Sequence, residues 1–363
     1  MYKIDVLPQN VLDNHYVQYA NAVRNLLISV KDGLEIPHSF GKTHVEHVVL
    51  KVHNGSYTYN FLEKYSIEEN LRKLLCGNYK QLLEILREVS NGIPNAEWKN
   101  RATKEKHEAG EYDEWGTNID GKKQIDHFNE IMRWIFIDQM YEGMNTVAPF
   151  NKRRYIQSLG LVVCPYCGRN YIETEEENGY QDDNPPIDHY LPKSKYPFFA
   201  LSLYNMIPCC TQCNKLTNKG ENDPLSDAIP TNTFLINPHE FYDDAVKFEH
   251  AYNDRGMMDE RNFKVVMNTA NDDLQTGYFG WLKLNSFYGK RNPRVQEIYS
   301  EVTTYSEEEG SYLKKEGLPQ DYLDDIAART IGFRIDGKAS KRPLYKFNKE
   351  ILLSVLKSFG INL

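Results

Sequence analysis

Two cysteine pairs constrain this chain more than anything else in it. Cys164-Pro-Tyr-Cys167-Gly and Cys210-x-x-Cys213 each space two thiols two residues apart, and 42 residues separate Cys167 from Cys210. Five of the six cysteines fall in one 50-residue window. In a reducing compartment such clustering points to a metal rather than to disulfides. Four thiolates match tetrahedral zinc, and a glycine after the second cysteine lets backbone amides approach the sulfurs. A simple zinc ribbon has about 15–20 residues between its pairs, so something folded must sit inside the loop that zinc closes. Cys209 could replace Cys210 as ligand, although Cys210 keeps the two-residue spacing. Cys76 lies on an apolar helical face and reads as a buried core thiol, which is also the plain alternative for the other four.

The chain has 363 residues, enough for two or three domains at about 100–200 residues each. No stretch approaches the ~18 consecutive apolar residues of a membrane span, and the longest strong run lies near Trp134–Ile137. The segment MYKIDVLPQN lacks the apolar run of a signal peptide, so a cytoplasmic protein without membrane contact is expected. A net charge of −8 excludes a uniformly basic nucleic-acid binder but not a local basic patch, because the field at a site follows nearby charges.

The expected class is α+β with helices in the majority. Residues 1–150 read as a mixed α/β region for substrate or partner binding, 151–232 as the cysteine-bearing module, and 233–363 as a hairpin followed by helices. His44–His53 and Ser56–Phe61 flank Asn54-Gly55, a dipeptide suited to a type I′ hairpin. Ser66 and Glu69 form a capping-box pattern before LRKLLC, with Gly77 as a stop. Tyr79–Val89 reads as an amphipathic helix, about 95–123 as an exposed polar linker, and His127–Tyr141 as a buried helix. Strands are expected at Ala245–Tyr252 and Phe263–Met267, joined by a turn with Arg255-Gly256. Helices are expected at Asp272–Ser286, Arg294–Tyr305, Asp321–Gly332 and Leu344–Ser358.

Between the cysteine pairs lies PPIDHYLPKSKYPFFALSLYNMIPCCTQCNKLTNKG, with Asp188-His189, then Asn205, then Asn214 directly after the last cysteine. These residues can make a phosphodiesterase site. A carboxylate and an amide oxygen are hard ligands that suit Mg²⁺ or Mn²⁺. A neighbouring imidazole can deprotonate water near neutral pH, provided another group fixes its tautomer, and an Asn carbonyl can do so by accepting its N–H. Each residue also has a simpler reading. The loop could present Tyr204 or Ser202 in place of Asn205, and Asn214 could be a helix N-cap. His239 and His250 are the nearest other histidines and read as non-catalytic.

The order CxxC, DH, N, CxxCN resembles the HNH, or ββα-metal, endonuclease motif in its zinc-stapled form with Asn as third letter. It covers about 50 residues, and LPKS after the His resembles that family's P-x-S region. The resemblance implies a zinc-stapled ββα module with His189 as general base, Asn205 orienting it, and Asp188 and Asn214 binding the catalytic Mg²⁺ or Mn²⁺. Cys164, Cys167, Cys210 and Cys213 would hold structural Zn²⁺. The family often has a Lys three residues after the final Asn; here Thr217 stands there, with Lys215 and Lys219 nearby.

The implied activity is hydrolysis of DNA, double-stranded by default. Local charge agrees, since residues 189–220 hold Lys193, Lys195, Lys215 and Lys219 and no acid, and such groups contact phosphates without reading sequence. Leu274–Gln296 and Gly337–Lys349 are further acid-free basic runs, and Lys152-Arg153-Arg154 precedes the first cysteine pair. The later pattern, with INP near Ile236–Pro238 and then Leu284-Asn285 and Arg291, loosely resembles the HNH component of Septu-like antiphage defence systems. That implies a bacterial defence effector working beside an ATPase or sensor protein, since this chain has no G-x-x-x-x-G-K-[ST] motif. A ribonuclease or toxin-like effector and a non-catalytic zinc-stapled nucleic-acid binder stay open as alternatives.

Overall fold

The structure, a computed structural model, describes residues 1–34, 48–93, 118–119, 122–125, 127–142, 152–172, 185–226, 233–253, 259–316 and 320–361. Arg255-Gly256, the acidic run 173–183 and most of the polar stretch 95–123 lie outside them.

The N-terminal part is built on α1 (Gln9–Lys31), which buries Val11, Tyr19, Val23 and Leu27 along one face. This is the apolar spacing of a helix with one face on a core. Strand β1 (Val48–Leu50) follows, then α2 (Tyr57–Ser66), α3 (Glu68–Cys76) and α4 (Tyr79–Gly92). The expected Asn54-Gly55 hairpin is absent. Gly55 turns with φ +79, but Ser56 adopts an extended backbone and its hydroxyl accepts from Tyr59 N at 3.1 Å, starting α2. An N-cap serine here outweighs the turn dipeptide. The Ser66–Glu69 box does not form either. Ser66 closes α2 and donates to Glu63 O, and Ile67 precedes α3 without a side-chain cap. A real capping box sits one helix later, between Asn78 and Gln81. Gly77 ends α3 as expected, with an ordinary extended φ of −62.

Strands β2 (Asn118–Ile119) and β3 (Lys122–Ile125) sit at the end of the stretch read as linker. β3 pairs parallel with β1 and antiparallel with β2, so backbone pairing overrides the polar composition. Helix α5 (Phe128–Arg133) continues as a π-helical segment, Trp134–Tyr141, and together they bury Phe128, Ile131, Met132, Ile135 and Phe136.

Helix α6 (Lys152–Leu159) leads into the cysteine region. Strands β4 (Ile187–His189) and β5 (Met206–Pro208) form an antiparallel ribbon with Asp188 opposite Ile207, and the short helix α7 (Thr211–Asn214) follows. The C-terminal part begins with the paired strands β6 (Val246–Tyr252) and β7 (Phe263–Thr269), in register along their full length. The expected helix 272–286 is broken. It runs as α8 (Asp273–Gln275) into a π-helical turn, Thr276–Trp281, and restarts as α9 (Leu284–Tyr288) after Lys283, whose φ is +53. Helices α10 (Asn292–Glu316), α11 (Gln320–Ile331) and α12 (Tyr345–Ser358) complete the chain. The α+β class holds, with three small sheets among helices in the described residues. Among the described residues no helix is long and apolar enough to cross a membrane.

One hydrophobic cluster runs from Met1 and Tyr2 to Ile361, and the ribbon lies inside it. Side-chain hydrogen bonds to backbone carbonyls brace the central segment internally and tie it to both flanks. The Tyr2 hydroxyl bonds Val163 O, Tyr288 donates to Cys167 O at 2.7 Å, and Tyr155 sits 2.7 Å from Met206 O. His15 Nε2 lies 2.8 Å from Leu201 O, and Ser202 Oγ donates to Leu74 O at 2.6 Å. Each bond gives a buried carbonyl a partner.

His15 makes folding acid-sensitive. Burial pushes its pKa down to about 4, with the bond to Leu201 O opposing in part. The folded value lies below the unfolded one of about 6.5, so the unfolded state takes up the proton first. The resulting stability is complete above pH 6.5 and is lost as pH falls towards 4, on the order of 3 kcal/mol in all. Urea unfolding at pH 7 and pH 4.5 should show this loss. His15→Leu should be somewhat less stable at pH 7 but flatter with pH, and an undiminished pH slope in that variant would count against His15 as the source.

Candidate metal centre and acid–base site

The Cys164, Cys167, Cys210 and Cys213 sulfurs are buried and lie within 4.8 Å of one another. Cys167 and Cys210 are 3.9 Å apart. A tetrahedral ion with Zn–S bonds of 2.3 Å requires sulfurs about 3.8 Å apart. The donor set and its spacing therefore fit one ion such as zinc. The backbone builds both halves. Cys164 N donates to Asn170 O and Gly168 N to Cys164 O, curling the first pair. Gly168 takes φ +65, and a Cβ there would lie 2.3 Å from Met1 N. Cys210 caps the start of α7, and Asn170 Nδ2 donates to its sulfur at 3.2 Å. Hydrogen bonds from Cys164, Cys167 and Cys213 hold the Cys210 thiol well below its ordinary value, towards the thiolate that a metal needs.

Cys209 is not in the cluster, so the choice between it and Cys210 falls to Cys210. Burial and then the Asp188 charge push the Cys209 thiol up. Cys76 is the core thiol expected. It sits 3.4 Å from Leu12 O, and burial raises its pKa to about 12.

The ribbon carries Asp188 and His189 on β4. Asp188 is 3% exposed. Its Oδ2 accepts from the Tyr166 hydroxyl at 2.6 Å, and its Oδ1 lies 3.4 Å from Lys219 Nζ. That ammonium also donates to His189 O at 2.9 Å and Gly220 O at 3.3 Å. Lys219 is fully buried, which corrects its assignment as a phosphate contact. The loop after α7 folds back, with Lys219 N donating to Cys213 O, and turns the side chain inward to balance the buried carboxylate. Sequence position alone gave no sign of this.

His189 is 6% exposed. Its Nε2 lies 3.0 Å from Ala200 O, and the Tyr141 ring packs on it in a T-shaped contact with centroids 4.6 Å apart. Burial, then Lys193, Lys219 and Lys152, lower its pKa to about 3, against the bond to Ala200 O. The imidazole is thus neutral at physiological pH. With Nε2 donating to the carbonyl, Nδ1 carries the lone pair and is the ring's proton-accepting atom, and the same burial and nearby ammonium charges keep it a weak base until an anion stands beside it.

Asn205 does not accept from His189; Ala200 O fixes the ring instead. Asn205 Oδ1 accepts from Leu191 N at 2.7 Å, and its Nδ2 lies 3.1 Å from both Leu191 O and Phe199 O. It pins the loop between the strands, the loop that carries Ala200, so its influence on the ring passes through backbone. The alternatives Ser202 and Tyr204 are engaged elsewhere, at Leu74 O and against the His239 ring. Asn214 is half-buried at the end of α7. Cys210 occupies the N-cap, so the N-cap reading of Asn214 does not hold.

Among the remaining lysines, Lys215 is exposed, Lys195 lies 3.8 Å from Asp223, and Lys193 is half-buried over the Tyr141 ring at 4.6 Å. The later basic runs are partly structural. Arg294 is held by Glu297 and Thr330 O, and Lys346 pairs with Glu350 under the β6–β7 hairpin. His250 bonds Ser354 on α12 and His239 packs on Tyr204. Sequence reasoning missed Tyr166, Tyr141 and the Ala200 carbonyl. Tyr166 sits inside the first cysteine pair and was in view, whereas nothing local distinguishes Tyr141 or Ala200.

No family model matches this chain, and no curated protein or solved structure does.

Two measurements follow from this geometry. Purified protein should carry one zinc per chain by elemental analysis. Cys210→Ser should lose it and melt at lower temperature, while Cys209→Ser should keep it; equal loss from both would break the assignment. Lys219→Met should leave the Asp188 carboxylate buried without a counter-charge, a defect that costs about 3–5 kcal/mol. Denaturant titration showing less than ~1 kcal/mol would mean that the pair is solvated.

Proposed function

We propose that this chain is a metal-dependent endonuclease of the HNH kind that hydrolyses DNA phosphodiester bonds. The observation that carries this reading is a neutral, buried imidazole, fixed through Nε2 by Ala200 O, next in sequence to a buried carboxylate on the same strand. The ribbon that holds both runs through β5 directly into the four-cysteine cluster.

In this reading His189 Nδ1 removes a proton from water. The oxygen attacks phosphorus in line with the O3′ that departs, and O3′ is protonated from solvent. Asp188 and Asn214 offer hard oxygen donors for Mg²⁺ or Mn²⁺, and Asp188 keeps lone pairs beyond those used by Tyr166 and Lys219. The ion, when bound, would offset charge on the phosphate and the departing oxygen. Tyr166 and Lys219 hold the Asp188 carboxylate in one orientation, and Asn205 keeps the loop of Ala200 in register. The four-cysteine cluster serves as the structural staple. The looser likeness to Septu-like systems adds a bacterial antiphage role and an ATPase or sensor partner to the proposal.

The test is cleavage of supercoiled plasmid with Mg²⁺ or Mn²⁺, beside His189→Ala and a panel of duplex and single-stranded DNA and RNA. Wild type should nick or linearise DNA, and His189→Ala, still folded and zinc-loaded, should lose at least ~100-fold in rate. Cutting of RNA alone would move the substrate class to ribonuclease. Undiminished cutting by His189→Ala would remove the histidine from the chemistry.

A further inference from the structure

The His189 ring does not stand alone against the protein. Its T-shaped contact, Tyr141, ends the π-helical segment 134–141 and so comes from outside the cysteine-bearing segment. Two ammonium groups converge on that same ring. Lys152 Nζ, from the start of α6, lies 4.2 Å from its centroid, and Lys193 Nζ, from the loop after β4, lies 4.6 Å away. Both lysines are half-buried.

Neither has a carboxylate within ion-pairing distance among the described residues. Glu142 is the acid nearest both in electrostatic effect, with weaker contributions from Asp138 and Glu221 at Lys193. The ring face attracts each cation by about 0.5–2 kcal/mol, but it does nothing for their mutual repulsion. That repulsion is evident at Lys152, where burial and then Lys193 lower the pKa to about 8. Two like charges are therefore held half-buried on one ring, against the candidate base and with no ion-paired carboxylate among the described residues. An anion placed beside that ring would relieve the repulsion, and it would stand next to His189.

We propose that Lys152, Tyr141 and Lys193 form a phosphate-binding shelf that seats a backbone phosphate of the nucleic acid beside His189. Lys152 and Lys193 make the contacts, and Tyr141 spaces them and backs the imidazole. This assignment rests on the nuclease reading and gives it a substrate-binding element from outside the Asp-His ribbon. It separates the four lysines picked from sequence, since Lys219 balances Asp188, Lys195 meets Asp223 and Lys215 stands exposed away from the ring, leaving Lys193 beside Lys152 from the basic run before the first cysteine pair.

The experiment is equilibrium binding of a fluorescent DNA duplex, across a NaCl series, by His189→Ala protein without added divalent ion or chelator. Each phosphate contact contributes a slope of about 0.9 in log affinity against log salt. Adding Lys152→Ala and Lys193→Ala together should flatten the slope by roughly one to two and weaken binding about 10-fold or more at 0.1 M salt. Lys152→Arg with Lys193→Arg should restore most of it. Zinc content and melting temperature should match the parent, which a merely structural role would not allow. An unchanged slope overturns the shelf, as does a parent protein that binds no duplex. Plasmid cutting by the wild type is read separately. A chain that cuts, with an unchanged slope, keeps the nuclease reading and loses the shelf. A chain that never cuts, with a slope that falls, keeps the phosphate site and loses the nuclease.

Discussion

The centre of this molecule depends on a closure between two cysteine pairs far apart in sequence. Bringing the ends of a long loop together costs chain entropy that grows only slowly with length, and an ion on four thiolates supplies far more free energy than that. The closure has a geometric corollary. Cys210 is both a member of the cluster and the N-cap of α7, and β5 ends two residues before it. A ribbon pinned at that point has little freedom of register, so Asp188 and His189 are placed by the same geometry that gathers the sulfurs.

The interior around Asp188 follows from low dielectric. A carboxylate taken out of water must be bonded and paired, or it takes up a proton. Here a phenol and an ammonium supply that compensation, and the ammonium also gathers the carbonyls of His189 and Gly220. Lys219 thus belongs to the architecture of the site and not to its surface. His189 meets the opposite condition. Its burial and the charges of Lys193, Lys219 and Lys152 both disfavour the imidazolium.

Much of this was legible in the sequence, for identifiable reasons. The cysteine spacing named the four cluster members, because two-residue spacing is a local property. The helices α4, α11 and α12 and the strands β6 and β7 were legible because their apolar periodicity is local too. The misses share a different cause. Ser56 could serve a turn or a helix cap, and only the packing of α2 on α1 decides. Asn205 and Ala200 exchanged tasks because hydrogen bonding to a ring depends on where a loop closes, which no short pattern encodes. Lys219 read as surface because lysine usually is, and its inward turn is set by a carboxylate 31 residues away.

The π-helical segment before Tyr141 has a consequence of its own. A π turn holds about one residue more than an α turn, so such a segment is an α-helix that has absorbed an insertion. The extra residue rotates everything beyond it relative to α5, and Tyr141 is its last member. Deleting one residue there would let the helix rewind to α pitch and swing the ring away from the imidazole, leaving Lys152 and Lys193 without the ring they lean on. The composition of that helix would scarcely change and its core face would stay apolar. Part of the site is therefore recorded as a length, in the number of residues along one helix, where comparison of residue types position by position would not detect it.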